Sequence, residues 1–82
     1  MTSELLSDIL TKHGPCSREG NAITIPGGLK ATIYAALADE SLIVDRVASI
    51  TLDPQVVIVQ TSRCERFFFI YEDVRAVRFD ES

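Results

Sequence analysis

The chain has 82 residues, a formal net charge of -4, 46% hydrophobic residues, two cysteines and one histidine. This length allows one domain and excludes a second core, and the hydrophobic share excludes a disordered chain. The acidic balance gives no general attraction to polyanions, and one histidine without a CxxC pair leaves no structural zinc site.

Residues 1–14 read as a helix. Leu5, Leu6, Ile9 and Leu10 repeat at helical spacing and make one apolar stripe. Thr2 or Ser3 can cap its start, and Glu4 lies at the positive end of the dipole. Lys12 and His13 fall in the expected last turn, Gly14 suits a left-handed cap, and Pro15 prevents continuation. So short a helix is marginal alone, so the stripe must dock on a surface. Residues 15–28 read as a polar connector with a short strand at Ala22–Ile25 and a break at Pro26-Gly27-Gly28.

Residues 29–79 carry the strands. Leu29, Ala31, Ile33, Ala35 and Leu37 alternate, which favours a strand over 29–38. Leu29, Ile33 and Leu37 also share a helix face, and the alanines suit a helix, so both assignments stay open. Ala38 to Ser41 reads as a turn. Leu42, Val44, Ala48, Ile50 and Leu52 form a long alternating strand interrupted by Arg46, as a bent or bulged strand is. Asp53-Pro54-Gln55 is a tight turn. Val56–Gln60 reads as a strand buried on both faces. Thr61 to Glu65 is a polar connection, Phe67–Tyr71 the next strand, Glu72-Asp73 a polar step and Arg75–Phe79 the last strand. The expected fold is therefore mainly β: an N-terminal helix followed by a five-stranded, strongly bent antiparallel sheet closing as a small barrel.

Small cores are commonly reinforced by disulfides, metal or oligomerisation. Cys16 and Cys64 can form one bridge at most, which leaves oligomerisation. Phe67, Phe68 and Phe69 put aromatic rings on both faces of one strand, more than so small a monomer easily covers. Phe67, Phe68, Phe69 and Ile70, with Val77 and Phe79, are the expected oligomer interface.

Other chemistry is sparse. Glu72 and Asp73 are neighbours on an extended chain and cannot flank one bond as a catalytic pair. Arg63, Arg66, Arg75 and Arg78 could bind phosphate, but Glu65, Glu72, Asp73, Asp80 and Glu81 interleave with them and favour ion pairs. Tyr34 and Tyr71 can stack on bases or simply pack. Cys64 lies among arginines without a histidine nearby in sequence, and Cys16 and His13 read as structural. Lys30 after Pro26-Gly27-Gly28 is not a phosphate-binding loop. No nucleophile, base and oxyanion set can be assembled, so no enzyme, cofactor or metal is expected. The first residues lack the basic region of a signal peptide. The uncharged stretch Ala31 to Ala38 is too short to span a membrane, and a cytoplasmic protein is expected.

The order of elements, together with Phe69-Ile70-Tyr71-Glu72-Asp73-Val74-Arg75-Ala76-Val77, resembles the Sm-like family, nearer to its bacterial Hfq branch, which has a tyrosine where Tyr71 stands. Ser49 to Ile58 resembles the other half of the core, with Asp53 at the acidic turn that opens the family's nucleotide-binding loop. The resemblance covers roughly residues 29–79. It implies a ring in which the strand before the polar step pairs with a neighbour's last strand. It also implies an RNA site at Asp53, Gln55, Tyr71, Arg75 and Arg78. The departures are specific: the family's Arg-Gly pair is absent, Glu72-Asp73 stands in place of the Hfq Lys-His, and the middle-strand glycine is missing. Acidic groups at that step repel phosphate. The leading expectation is a homo-oligomeric binding or scaffold module with RNA binding altered or lost. The alternative is an RNA-binding ring of the chaperone type. No DNA or membrane partner is expected.

Overall fold

In a computed structural model, residues 1–81 are described, Leu37 by its backbone only. The elements are α1 (Ser3–Leu10), β1 (Ser17–Glu19), β2 (Ala22–Thr24), β3 (Leu29–Leu37), β4 (Glu40–Leu52), β5 (Val56–Thr61), β6 (Arg66–Ile70), a 3-10 turn (Tyr71–Asp73) and β7 (Val74–Glu81). The chain is mainly β, with one helix at its start and a strongly curled antiparallel sheet. All five strands expected between residues 29 and 79 form, as β3 to β7.

Pairing decides the ambiguous segment 29–38. β3 has β4 on one side and β7 on the other, so both of its edges are hydrogen-bonded. A helix there would forfeit both ladders. The turn after it is tighter than the expected Ala38–Ser41: Leu37 pairs with Glu40, and Ala38 takes a positive φ of 55°.

The curl comes from β4. Ala31 faces Val47 and Ile33 faces Val44, so β4 spends one extra residue there, and Arg46 has a φ of 55°. A second shift lies between Val47 and Ser49 where β5 pairs. These bulges bend the strand at the arginine that interrupts its apolar pattern. The first half of β4 pairs β3, and the second half pairs β2 and β5.

The sheet stops as an open half-barrel and does not close within one chain. Among the described residues, β6 pairs only β5, and β7 pairs only β3. Within the expected connector 15–28 the short strand expected at Ala22–Ile25 forms as β2, and it pairs with an unexpected β1 in a hairpin that extends the sheet to seven strands. Gly20, with a φ of 62°, makes its two-residue turn possible. β5 is less buried than expected: Val57, Val59 and Thr61 are buried, while Val56, Ile58 and Gln60 are only partly covered.

The core fills the concave side. Ile23, Ala31, Ile33, Val44, Val47, Ile50, Val57, Val59, Phe69 and Val74 are buried together with Leu6 and Leu10 of α1. Thr2 caps α1, its hydroxyl accepting from the Leu5 N–H at 3.0 Å. The predicted stripe is narrower than four residues: Leu6 and Leu10 are fully buried, Ile9 is partly covered, and Leu5 is 49% exposed. Lys12 and His13 lie beyond the helix, which ends at Leu10 with Thr11 as its C-cap. Gly14 does not take the left-handed conformation expected of it, since positive φ occurs only at Gly20 and Gly28 among the described glycines. Among the described residues, no helix is long and apolar enough to cross a membrane, and both cysteines are free, Cys16 buried and Cys64 exposed.

Candidate functional site: two open edges and an acidic cleft

Three distant segments meet beside α1. The Tyr71 hydroxyl donates to the Asp53 carbonyl at 2.6 Å, tying the 3-10 turn to the β4–β5 turn. The Met1 ammonium donates to the Tyr71 carbonyl at 2.9 Å. Asp53 and Tyr71, two of the expected RNA-site residues, are thus brought together, with Gln55 exposed in the same β4–β5 turn. The contact uses the backbone oxygen of Asp53 and leaves its carboxylate free of that bond.

Next to this junction lies a cleft of about 380 Å³, lined in part by Glu4, Ser7, Asp8, Arg18, Asn21 and Asp53. Among the described residues, Arg18 is its only cationic side chain, and it is already engaged. Its guanidinium donates to the Gly20 carbonyl at 2.6 Å, the Ser7 hydroxyl at 2.9 Å and the Asn21 side-chain oxygen at 3.4 Å. Arg18 therefore stitches α1 to the β1–β2 hairpin. Three carboxylates around one committed arginine make a poor phosphate site.

Arg78 belongs to another set. On β7 it pairs with Asp80 at 2.8 Å and donates to the Tyr34 hydroxyl at 3.3 Å. The Tyr34 hydroxyl, and then Asp80, push its already high pKa further up. Arg75 is exposed at the bulge of β7 against β3 and has no ion-pair partner among the described residues. Arg63 bridges Asp45 at 2.7 Å and Glu65 at 3.3 Å. The expected pairing of arginines with interleaved acids thus holds for Arg63 and Arg78.

The aromatic strand divides by face. Phe69 is buried in the core, and Phe67 stacks on it with ring centres 6.2 Å apart. Phe68 and Ile70 point the other way and are 61% and 50% exposed. Val77 and Phe79 are half-buried on the inner side of β7. The six expected interface residues therefore comprise one core residue, three half-covered residues at the two open edges, and two exposed ones on the outer face.

Tyr71 gives a pH test. Burial pushes its phenol up, the Asp53 carboxylate adds to this, and Arg18 offsets part of it. The folded state therefore favours the neutral phenol. That contribution is complete below the ordinary tyrosine value of about 10 and is lost as pH rises through the higher folded value. Tyr71→Phe should cost about 1 kcal/mol at neutral pH. It should also show a shallower alkaline fall in melting temperature than the parent chain. Identical alkaline profiles would remove Tyr71 as the cause.

No family model matches the chain, and no curated protein or solved structure matches it either.

Proposed function

We propose that this chain is a self-assembling β module of the Sm-like kind, joined edge to edge into a ring. In this reading it serves as a binding or scaffold unit whose RNA binding is altered or lost. The observation that carries the reading is the pair of open edges. β6 and β7 each use one side for pairing and leave the other free. Beside those edges Phe67, Val77 and Phe79 remain only half-covered on the concave side. An unpaired apolar edge invites another strand. β1, also an edge, is short and exposed along its whole length, the usual way an edge is blunted. Because the two apolar edges differ, their pairing is head-to-tail, and a curled subunit turns such pairing into a closed ring.

Amide exchange tests this directly. Along β6, every second N–H points away from β5. In a solitary chain those amides exchange quickly. In the assembly they are paired, and their exchange should slow by about tenfold or more as concentration rises. Light scattering should give a mass well above that of a dimer. A 9.1 kDa particle at micromolar concentration, with fast-exchanging alternate β6 amides, would refute the ring.

Loss of RNA binding is supported by Glu72-Asp73 at the polar step and by the acidic cleft beside it. Repulsion between these groups and phosphate acts over a Debye length of roughly 8–10 Å. We expect no sub-micromolar binding of short U-rich or A-rich RNA at about 0.15 M salt. Tight, salt-sensitive binding that is lost on Arg75→Ala would instead support the RNA-binding ring.

A further inference from the structure

We propose that the joint between copies is antiparallel and turns the sheet over, so that the convex side of β6 in one copy meets the concave side of β7 in the next. Phe68 then lies against Phe79, Ile70 against Val77 and Arg66 against Glu81. This rests on the edge-joined reading above and adds which faces meet and in what register.

The backbone bonds already made decide what each edge offers. In an antiparallel ladder, residues that exchange hydrogen bonds alternate with residues whose N–H and C=O point away. The Thr61 N–H donates to the Glu65 carbonyl at 2.9 Å. The same register sets Val59 against Phe67 and Val57 against Phe69. Phe67 and Phe69 therefore bond to β5, while Arg66, Phe68 and Ile70 direct their backbone groups to the free edge. The side chains of these three are the exposed ones of β6, on its convex side. On the other edge, Leu37 and Glu40 close a two-residue turn, whose ends are hydrogen-bonded. Ala35–Leu42 and Ile33–Val44 continue that set. Thr32 and Tyr34 therefore bond to β7, at Arg78 and Ala76. Val77, Phe79 and Glu81 keep their backbone groups for the free edge. Val77 and Phe79 lie across from the buried Ile33 and Ala31, hence on the concave side, and Glu81 follows in the same alternation.

Opposed residues of an antiparallel pair send their side chains to one face. Joining these two edges antiparallel thus brings convex-side residues of β6 beside concave-side residues of β7. One joint then covers Phe68 and Ile70, 61% and 50% exposed, and completes the half-covered Val77 and Phe79. A parallel joint would leave Phe68 and Ile70 exposed. Sliding by two residues sets Ile70 against Arg75 one way, or Phe68 against Glu81 the other. The chosen register matches apolar to apolar and Arg66 to Glu81. Arg66 and Glu81 are exposed, and neither has an ion-pair partner among the described residues. Each edge complements the other, which selects a second copy over an unrelated strand.

Charge exchange tests the register. Sedimentation velocity over a micromolar concentration series would compare the parent chain with R66E, E81R and the R66E/E81R double variant. Circular dichroism would verify the fold of each. Each single reversal sets like charges across every joint and should raise the concentration needed for assembly by about fivefold or more. The double reversal should restore it. Phe68→Ser with Ile70→Ser alters exposed residues of the single copy, so it should keep the fold and lose the assembly. A parent assembly indifferent to the charge reversals, or a double variant as weak as the singles, would overturn the register and leave the ring standing. A parent chain that stays a 9.1 kDa monomer would overturn both.

Discussion

Leu6→Asp should come close to unfolding the chain. Leu6 has no exposed surface and lies within the single core. Burying a leucine side chain is worth about 1.5–3 kcal/mol. A carboxylate in its place must be desolvated without a partner or protonated, which adds further cost. A loss of about 3–5 kcal/mol is expected, against a total of roughly 4–12 kcal/mol for a domain of this size. Neighbouring positions supply the control. Ile9 is only partly covered, so Ile9→Asp should cost about 1 kcal/mol. Leu5 is half-exposed in the first turn, where an added carboxylate meets the positive end of the helix, and Leu5→Asp should be nearly neutral. Urea titration of the three variants orders them. Equal midpoints would mean that α1 does not dock as described.

The strands were legible because their alternation matches what the sheet buries. Ala31, Ile33 and Ala35 of β3 face the core, as their spacing implies. The helix reading of the same segment failed for a reason no local pattern contains, the presence of partners on both edges. The bend in β4 was legible because Arg46 breaks an apolar face and sits at the bulge. The strand expected at Ala22–Ile25 forms as β2, but its partner β1 was missed because Ser17, Arg18 and Glu19 are polar and wholly exposed. Its signal was nevertheless present in Gly20-Asn21, a two-residue hairpin turn between Glu19 and Ala22. Around the candidate site, the resemblance pointed to Asp53 and Tyr71 but not to their contact, because the acceptor is a backbone carbonyl. Arg18 was passed over for a similar reason. Its partners are a carbonyl, a hydroxyl and an amide oxygen, none of which carries a charge pattern. The open edges were also invisible locally, since the lack of a neighbour depends on the whole topology.

Gly14→Ala should destabilise the fold far more than a methyl group suggests. Gly14 sits where the chain turns back beneath the end of α1. A Cβ there would lie 2.7 Å from the carbonyl oxygens of both Ile9 and Leu10, and 3.1 Å from a ring carbon of Phe79. Both oxygens are backbone atoms at the end of the helix, so neither can swing aside as a side chain would. Relief requires residue 14 and the end of the helix to move apart. That motion disturbs Leu10, which is fully buried, and the Cys16 N–H bond to the Leu10 carbonyl at 3.0 Å. Overpacking of this kind costs about 1–3 kcal/mol, which for a domain of this size lowers the melting temperature by roughly 4–8 °C per kcal/mol. Gly27→Ala is the matched comparison. Nothing lies within 4 Å of a Cβ there and its φ is not positive. The restricted unfolded chain should then make that variant neutral or more stable by about 0.4–1 kcal/mol. Thermal unfolding of the two variants should move in opposite directions or differ by several degrees. Equal melting temperatures would show that the chain does not pass the end of α1 as closely as Gly14 permits.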